Sequence, residues 1–150
     1  MEVKVIPFHP KHLEVMNIRD IDSAIFGDFK SQEAFDRVDQ MSRISTQAGT
    51  FLCEGRIHFV AGFCPMWPGV YEVWMLPSVY VRNAPMFFCR TLRRYIDRIA
   101  HDFKAHRIQT TSFDDKFHER WMKFMGFEKE GTLRQFTQDK RNMCQFGRIF

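Results

Sequence analysis

The stretch HERWMKFMGFEKEGTLRQF, His118 to Phe136, constrains the fold more than any other part of the chain. Apolar residues at helical spacing stop at Gly126, and Phe127 opens the segment that follows. A glycine just past a helix supplies the left-handed C-cap, because it has no Cβ to collide with the neighbouring carbonyl. Phe127 then drives the turn into the core. The reading is a helix over Asp114 to Met125 that reverses at once into a strand over Phe127 to Phe136.

The rest of the chain alternates between the two periodicities. Val3 to Phe8 reads as a strand stopped by Pro10, Lys11 to Arg19 as a short helix, and Ser31 to Ile44 as a helix capped by Ser31. Thr50 to Cys53 and Ile57 to Phe63 read as a hairpin turning at Gly55. A second turn runs from Pro65 to Gly69, and Val70 to Leu76 is a strand closed by Pro77. Pro85 to Ala100 is the clearest helix: Phe88, Cys89, Leu92, Tyr95, Ile96 and Ile99 share one face, and Arg90, Arg93, Arg94, Asp97 and Arg98 the other. Arg107 to Ser112 and Asn142 to Phe150 read as further strands. A meander followed by strand–helix–strand segments predicts one mixed α/β domain over residues 1–150, with a largely antiparallel central sheet flanked by helices.

With 45% hydrophobic residues in 150, including 17 Phe and 9 Met, the chain carries enough apolar side chain for a full core. The net charge of +4 permits an anionic ligand such as a nucleotide cofactor without requiring one. The arginines of the Pro85–Ala100 helix read as a solvated face, so nucleic acid is not expected. Cys53, Cys64, Cys89 and Cys144 are too widely spaced for a zinc site and read as reduced thiols. The six histidines are scattered; His101 and His106 flank a helix–strand turn, and neither has a partner at catalytic or metal spacing. No apolar run approaches the length of a membrane span, and MEVKVIPFHP lacks the apolar core of a signal peptide. The expected location is the cytoplasm, or a particle assembled there.

The element order and the MGFEKEG ending resemble the GNAT superfamily of acyl-CoA N-acyltransferases. The hairpin FLCEGRIHFVAGF and the strand–helix–strand unit from Tyr71 to Ser112 carry the likeness further. Within the superfamily, AGFCPMWPGVYEVWMLPS, Ala61 to Ser78, looks like the small acetyltransferase-like proteins of tailed bacteriophages, some of them internal virion proteins.

The resemblance implies acetyl-CoA as cofactor, held where two parallel strands splay apart, here Tyr71 to Leu76 and Arg107 to Ser112. The pantetheine arm would run along Trp74, Met75 and Leu76. The pyrophosphate would sit on the loop and helix start that carry Arg82, Asn83, Ala84, Met86 and Phe87, where free amides and the helix dipole favour an anion. Pro85 and Phe87 stand where the family uses small residues. Glu72 takes the position of the general base, its pKa raised by an aromatic setting of Trp67, Tyr71 and Trp74. Asp115 falls where the family often has Asn. Met122 falls where the family often has the Tyr that protonates the leaving thiolate, and methionine has no proton to give. Two functions follow: transfer of an acetyl group to an amine, or a degenerate form of the fold that binds a protein partner as a virion-associated or host-binding module.

Overall fold

A computed structural model describes residues 2–29 and 31–150. The strands are β1 (Val3–Pro7), β2 (Gln47–Cys53), β3 (Arg56–Trp67), β4 (Val70–Pro77), β5 (Arg107–Phe113), β6 (Glu128–Leu133) and β7 (Met143–Ile149). The helices are α1 (His12–Val15), α2 (Ser23–Phe26), α3 (Gln32–Ile44), α4 (Pro85–Asp102) and α5 (Lys116–Phe124), with 3-10 turns at Asp20–Asp22 and Val79–Arg82. The strands lie in the order β1-β2-β3-β4-β5-β7-β6. Pairs β1/β2, β2/β3, β5/β7 and β6/β7 are antiparallel, and β4/β5 is parallel. This is the mixed, largely antiparallel α/β arrangement expected from the sequence. The residues gather into two compact units, Met1–Cys64 with Trp74–Pro85, and Pro65–Val73 with Met86–Phe150.

In the first unit, β2 and β3 join through Glu54 and Gly55, both in the left-handed region at φ 51° and 73°. Two such residues between paired Cys53 and Arg56 make the tight hairpin turn that matches strand twist. The core beneath is built from Leu13, Met16, Ala34, Val38, Val60 and Leu76, with Trp74 in its midst. The Trp74 indole N–H donates to Ser45 Oγ at 2.8 Å, which removes the cost of burying that donor. Its ring lies flat on Gly62, where a Cβ would meet it at 2.5 Å.

The helix expected over Lys11 to Arg19 shrinks to His12–Val15. Tertiary pairing takes the remainder: Asn17 accepts the Val79 N–H at 2.8 Å, Ile18 bridges Ser78, and Arg19 turns in to bind Asp22. A helix this short has no propensity surplus to resist such pairings. Ser31 does sit at the N-cap of α3, but its hydroxyl donates to the Asp28 carbonyl instead of accepting from the helix. β2 begins at Gln47, ahead of the expected Thr50, and β3 runs through Pro65 to Trp67, which leaves only Pro68 and Gly69 for the turn.

In the second unit, α4 buries the predicted face, from Phe88 through Ile99. The end of α5 accounts for its orphan carbonyls one by one. Phe127 N–H returns to Met122 O and Gly126 N–H to Lys123 O, both at 3.0 Å, with Gly126 at φ 87°. That is the Schellman pattern. Arg93 then donates to Phe124 O at 2.8 Å and Arg148 to Met125 O at 3.1 Å. Arg148 is held in turn by Asp97 at 2.5 Å. Phe127 is 2% exposed, as its inward turn requires. The helix starts at Lys116, later than expected, because Asp115 takes the N-cap. β6 stops at Leu133 and not at Phe136, since Gln135 enters the left-handed region and Phe136 bonds across a turn to Arg141.

Candidate active site

The parallel ladder of β4 and β5 is short. It holds Val70↔Arg107, Tyr71↔Ile108 and Glu72↔Gln109 and then ends. At the next position the Val73 carbonyl is taken by the Thr110 hydroxyl at 2.8 Å, so a side chain does what a strand amide would have done. Thr110 is buried, and there an unbonded carbonyl would be costly. β5 itself continues to Phe113, still paired on its other side with β7.

Glu72 stands at the last pair of that ladder. Its side chain is half-buried, and burial alone pushes its carboxyl above the ordinary glutamate range. A carboxyl raised in this way holds a proton more tightly than an exposed glutamate does, the direction a general base calls for. The aromatic setting expected around it is not what forms. Tyr71, as the adjacent strand residue, faces the opposite side and packs on Phe103 at 5.8 Å. Trp67 is 62% exposed, and the Trp74 ring is committed to Gly62 and Ser45.

Among the remaining predicted residues, Trp74 and Leu76 are buried and Met75 is half-buried, all in the β4 segment of the first unit. Arg82 and Asn83 are exposed at the end of the 3-10 turn, and the Asn83 N–H is already spent on Tyr80 O. Ala84 precedes α4, an 18-residue helix that starts at Pro85. The first-turn amides of Met86 and Phe87 have no carbonyl within the helix to donate to, and Pro85 has no amide at all. Met86 is 50% exposed and Phe87 half-buried. Such first-turn amides are the kind of donors an anion can use.

Asp115 caps α5. It accepts the His118 N–H at 2.8 Å and also lies 2.8 Å from the His118 ring Nδ1. The sequence reading names no partner for His118, and the structure gives it Asp115. His118 is 6% exposed and ringed by Phe113, Phe117 and Trp121 at 5.2–5.5 Å. Its signal in the sequence is the Asp at an N-cap with the His three residues on, a spacing that brings both into one turn. Met122 is 2% exposed and packs as core. Among the described residues, no group of three or more His, Cys, Asp or Glu is placed to hold a metal, and no helix is long and apolar enough to cross a membrane.

No family model and no curated protein matches the sequence. Solved structures do match the fold. An Ard1 from Thermoplasma volcanium superimposes with a TM-score of 0.79 at 13% identity, covering 98% of this chain and 97% of that one. A GNAT-family acetyltransferase from Bacillus anthracis gives 0.77 at 14%, covering 99% and 95%. The aminoglycoside acetyltransferase AAC(6')-Ib, solved with coenzyme A, gives 0.72 at 15%, covering 99% and 95%. The chain has the GNAT acetyltransferase fold. At these identities the likeness is one of architecture. It fixes the frame in which the GNAT-like strand pair and helix start are found, and leaves the chemistry to the side chains.

Proposed function

We propose that this protein is an acyl-CoA-dependent N-acyltransferase that transfers an acetyl group to an amine. The observation that carries the reading is the early end of the β4/β5 ladder with Glu72 at its last pair. The neighbour solved with coenzyme A supports the choice of cofactor. Acetyl-CoA supplies an electrophilic thioester carbonyl and a thiol leaving group. The amine nitrogen forms a bond to that carbon as the carbon–sulfur bond breaks, and Glu72 takes the proton the nitrogen gives up. Amides of the Val73 to Leu76 strand are assigned to the oxyanion that forms on the carbonyl oxygen. Arg82, Asn83, Ala84 and the first turn of α4 at Met86 and Phe87 hold the pyrophosphate, and Trp74, Met75 and Leu76 flank the pantetheine. Asp115 stands with the cofactor-binding positions through the start of α5. The leaving thiolate draws its proton from solvent, since Met122 offers none.

A second reading is favoured by that same buried Met122 and by Pro85 in the phosphate-binding turn. In it the fold serves as a binding module, virion-associated or directed at a host protein, in line with the phage-like look of Ala61 to Ser78. The two part on one experiment, release of free thiol from acetyl-CoA over a panel of small amines. The enzyme reading predicts amine-dependent release, lowered about 10²–10⁴-fold by Glu72→Gln. The same slow release with and without amine, in the wild type and Glu72→Gln alike, would leave the binding module.

A further inference from the structure

Gln109 is the partner of Glu72 across the parallel ladder, and paired residues on adjacent strands present their side chains to one face of the sheet. Both belong to the second unit, and both are half-buried. The Arg107 Nε donates to Gln109 Oε1 at 3.0 Å. Arginine has donors and no acceptor, so the oxygen of the amide faces it and the NH2 group turns away. Arg107 is fixed in its turn. Its two terminal nitrogens donate to the two carboxylate oxygens of Glu130 at 2.9 and 2.5 Å, a two-pronged pair with little freedom to swing. That pair lies over Gly147, the β7 partner of Gln109, where a Cβ would run into Glu130 Oε1 and Arg107 Nη1.

The guanidinium therefore occupies the β7 side of Gln109, and the amide NH2 is turned to the β4 side, where Glu72 stands. Among the described residues no acceptor bonds that NH2, and burial is the cause acting on the Glu72 carboxyl. An oriented N–H donor thus stands beside a carboxyl able to take a proton. A molecule that meets both carries a hydrogen-bond-accepting atom close to its amine. Adjacent strands are about 4.8 Å apart, which suits two polar atoms on neighbouring carbons and not at the ends of a long chain.

On the acyl-transfer reading, on which this rests, we propose that Gln109 positions the acceptor, and that the acceptor is an amine with an oxygen on the neighbouring carbon, a 2-amino alcohol or an α-amino carbonyl compound. Gln109 Nε2 donates to that oxygen while the amine nitrogen faces Glu72, and it moves no proton itself. The test follows thiol release from acetyl-CoA with propylamine, 2-aminoethanol and glycinamide as acceptors. Gln109→Leu removes both ends of the amide. Gln109→Glu keeps an acceptor for Arg107 Nε and removes only the N–H donors. Each variant is compared with the wild type one amine at a time, so differences in amine basicity cancel. In both variants the fall in kcat/KM is expected to be about ten-fold larger for 2-aminoethanol, glycinamide or both than for propylamine. The oxygen-bearing amine that loses more identifies hydroxyl or carbonyl as the group bound. A residue that only supports the sheet would lower all three alike. Such an equal loss, or no loss, overturns the proposal while acyl transfer stands. Amine-independent release by the wild type removes the acyl-transfer reading and this proposal with it.

Discussion

Glu72 is one carboxyl whose proton affinity is set by where its strand places it. Burial raises its pKa in the folded chain, so the folded state binds that proton more tightly than the unfolded state does. Folding stability attributable to this group then falls as pH rises through the window from the ordinary glutamate value to the raised one. Above that window the cost of an ionised, half-buried carboxylate is constant. Glu72→Gln removes the cost. The variant is expected to unfold at the same temperature as the wild type or higher at pH 7.5, with the difference shrinking below pH 4, as thermal melts at the two pH values would show. A variant less stable at pH 7.5 would mean that a partner, and not burial, governs the carboxylate. Activity runs the other way: kcat/KM declines as pH drops through the raised pKa, and the profile's acid limb is lost with the carboxyl. Strand alternation in the sequence is enough to put Glu72 on one face of β4. The pairing of Asp115 with His118 depends on where α5 begins, and propensity does not fix a helix start to the residue.

At the scale of elements, the end of α5 is the most local structure in the chain and the easiest to read ahead of time. Gly126 announces itself because no other residue adopts φ 87° without strain. Gly126→Ala is expected to cost about 1–2 kcal/mol in left-handed backbone strain. The added Cβ would also meet Arg148 Nε at 2.9 Å, disturbing the side chain that caps Met125 O. Denaturant unfolding should show a lower midpoint with an unchanged slope, and a midpoint equal to the wild type would show that the cap is not what ends the helix. Helix α4 was readable for a related reason, since its face repeats over several turns. The segment after α1 was not. Asn17 and Ile18 bond to Val79 and Ser78, far along the chain, and such partners leave no mark on local periodicity.

On the scale of the whole molecule, the alternation of elements predicts a mixed sheet, and the structure adds the order β1-β2-β3-β4-β5-β7-β6 with its lone parallel pair among the pairings described. The place where that parallel pair stops is a property of tertiary pairing, with Thr110 spending its hydroxyl on Val73 O, and composition carries no trace of it. The departures from the family pattern at Pro85 and Met122 are visible in the sequence, and the structure shows that Met122 is core. A helix start lacking one amide still keeps its dipole and the amides that follow. The central claim is that this frame seats an acyl-CoA. Calorimetric titration of the intact chain with acetyl-CoA tests it most directly. The account predicts one-to-one binding in the micromolar range, weakened by Arg82→Ala. No detectable heat and no rise in unfolding temperature at millimolar acetyl-CoA would contradict it.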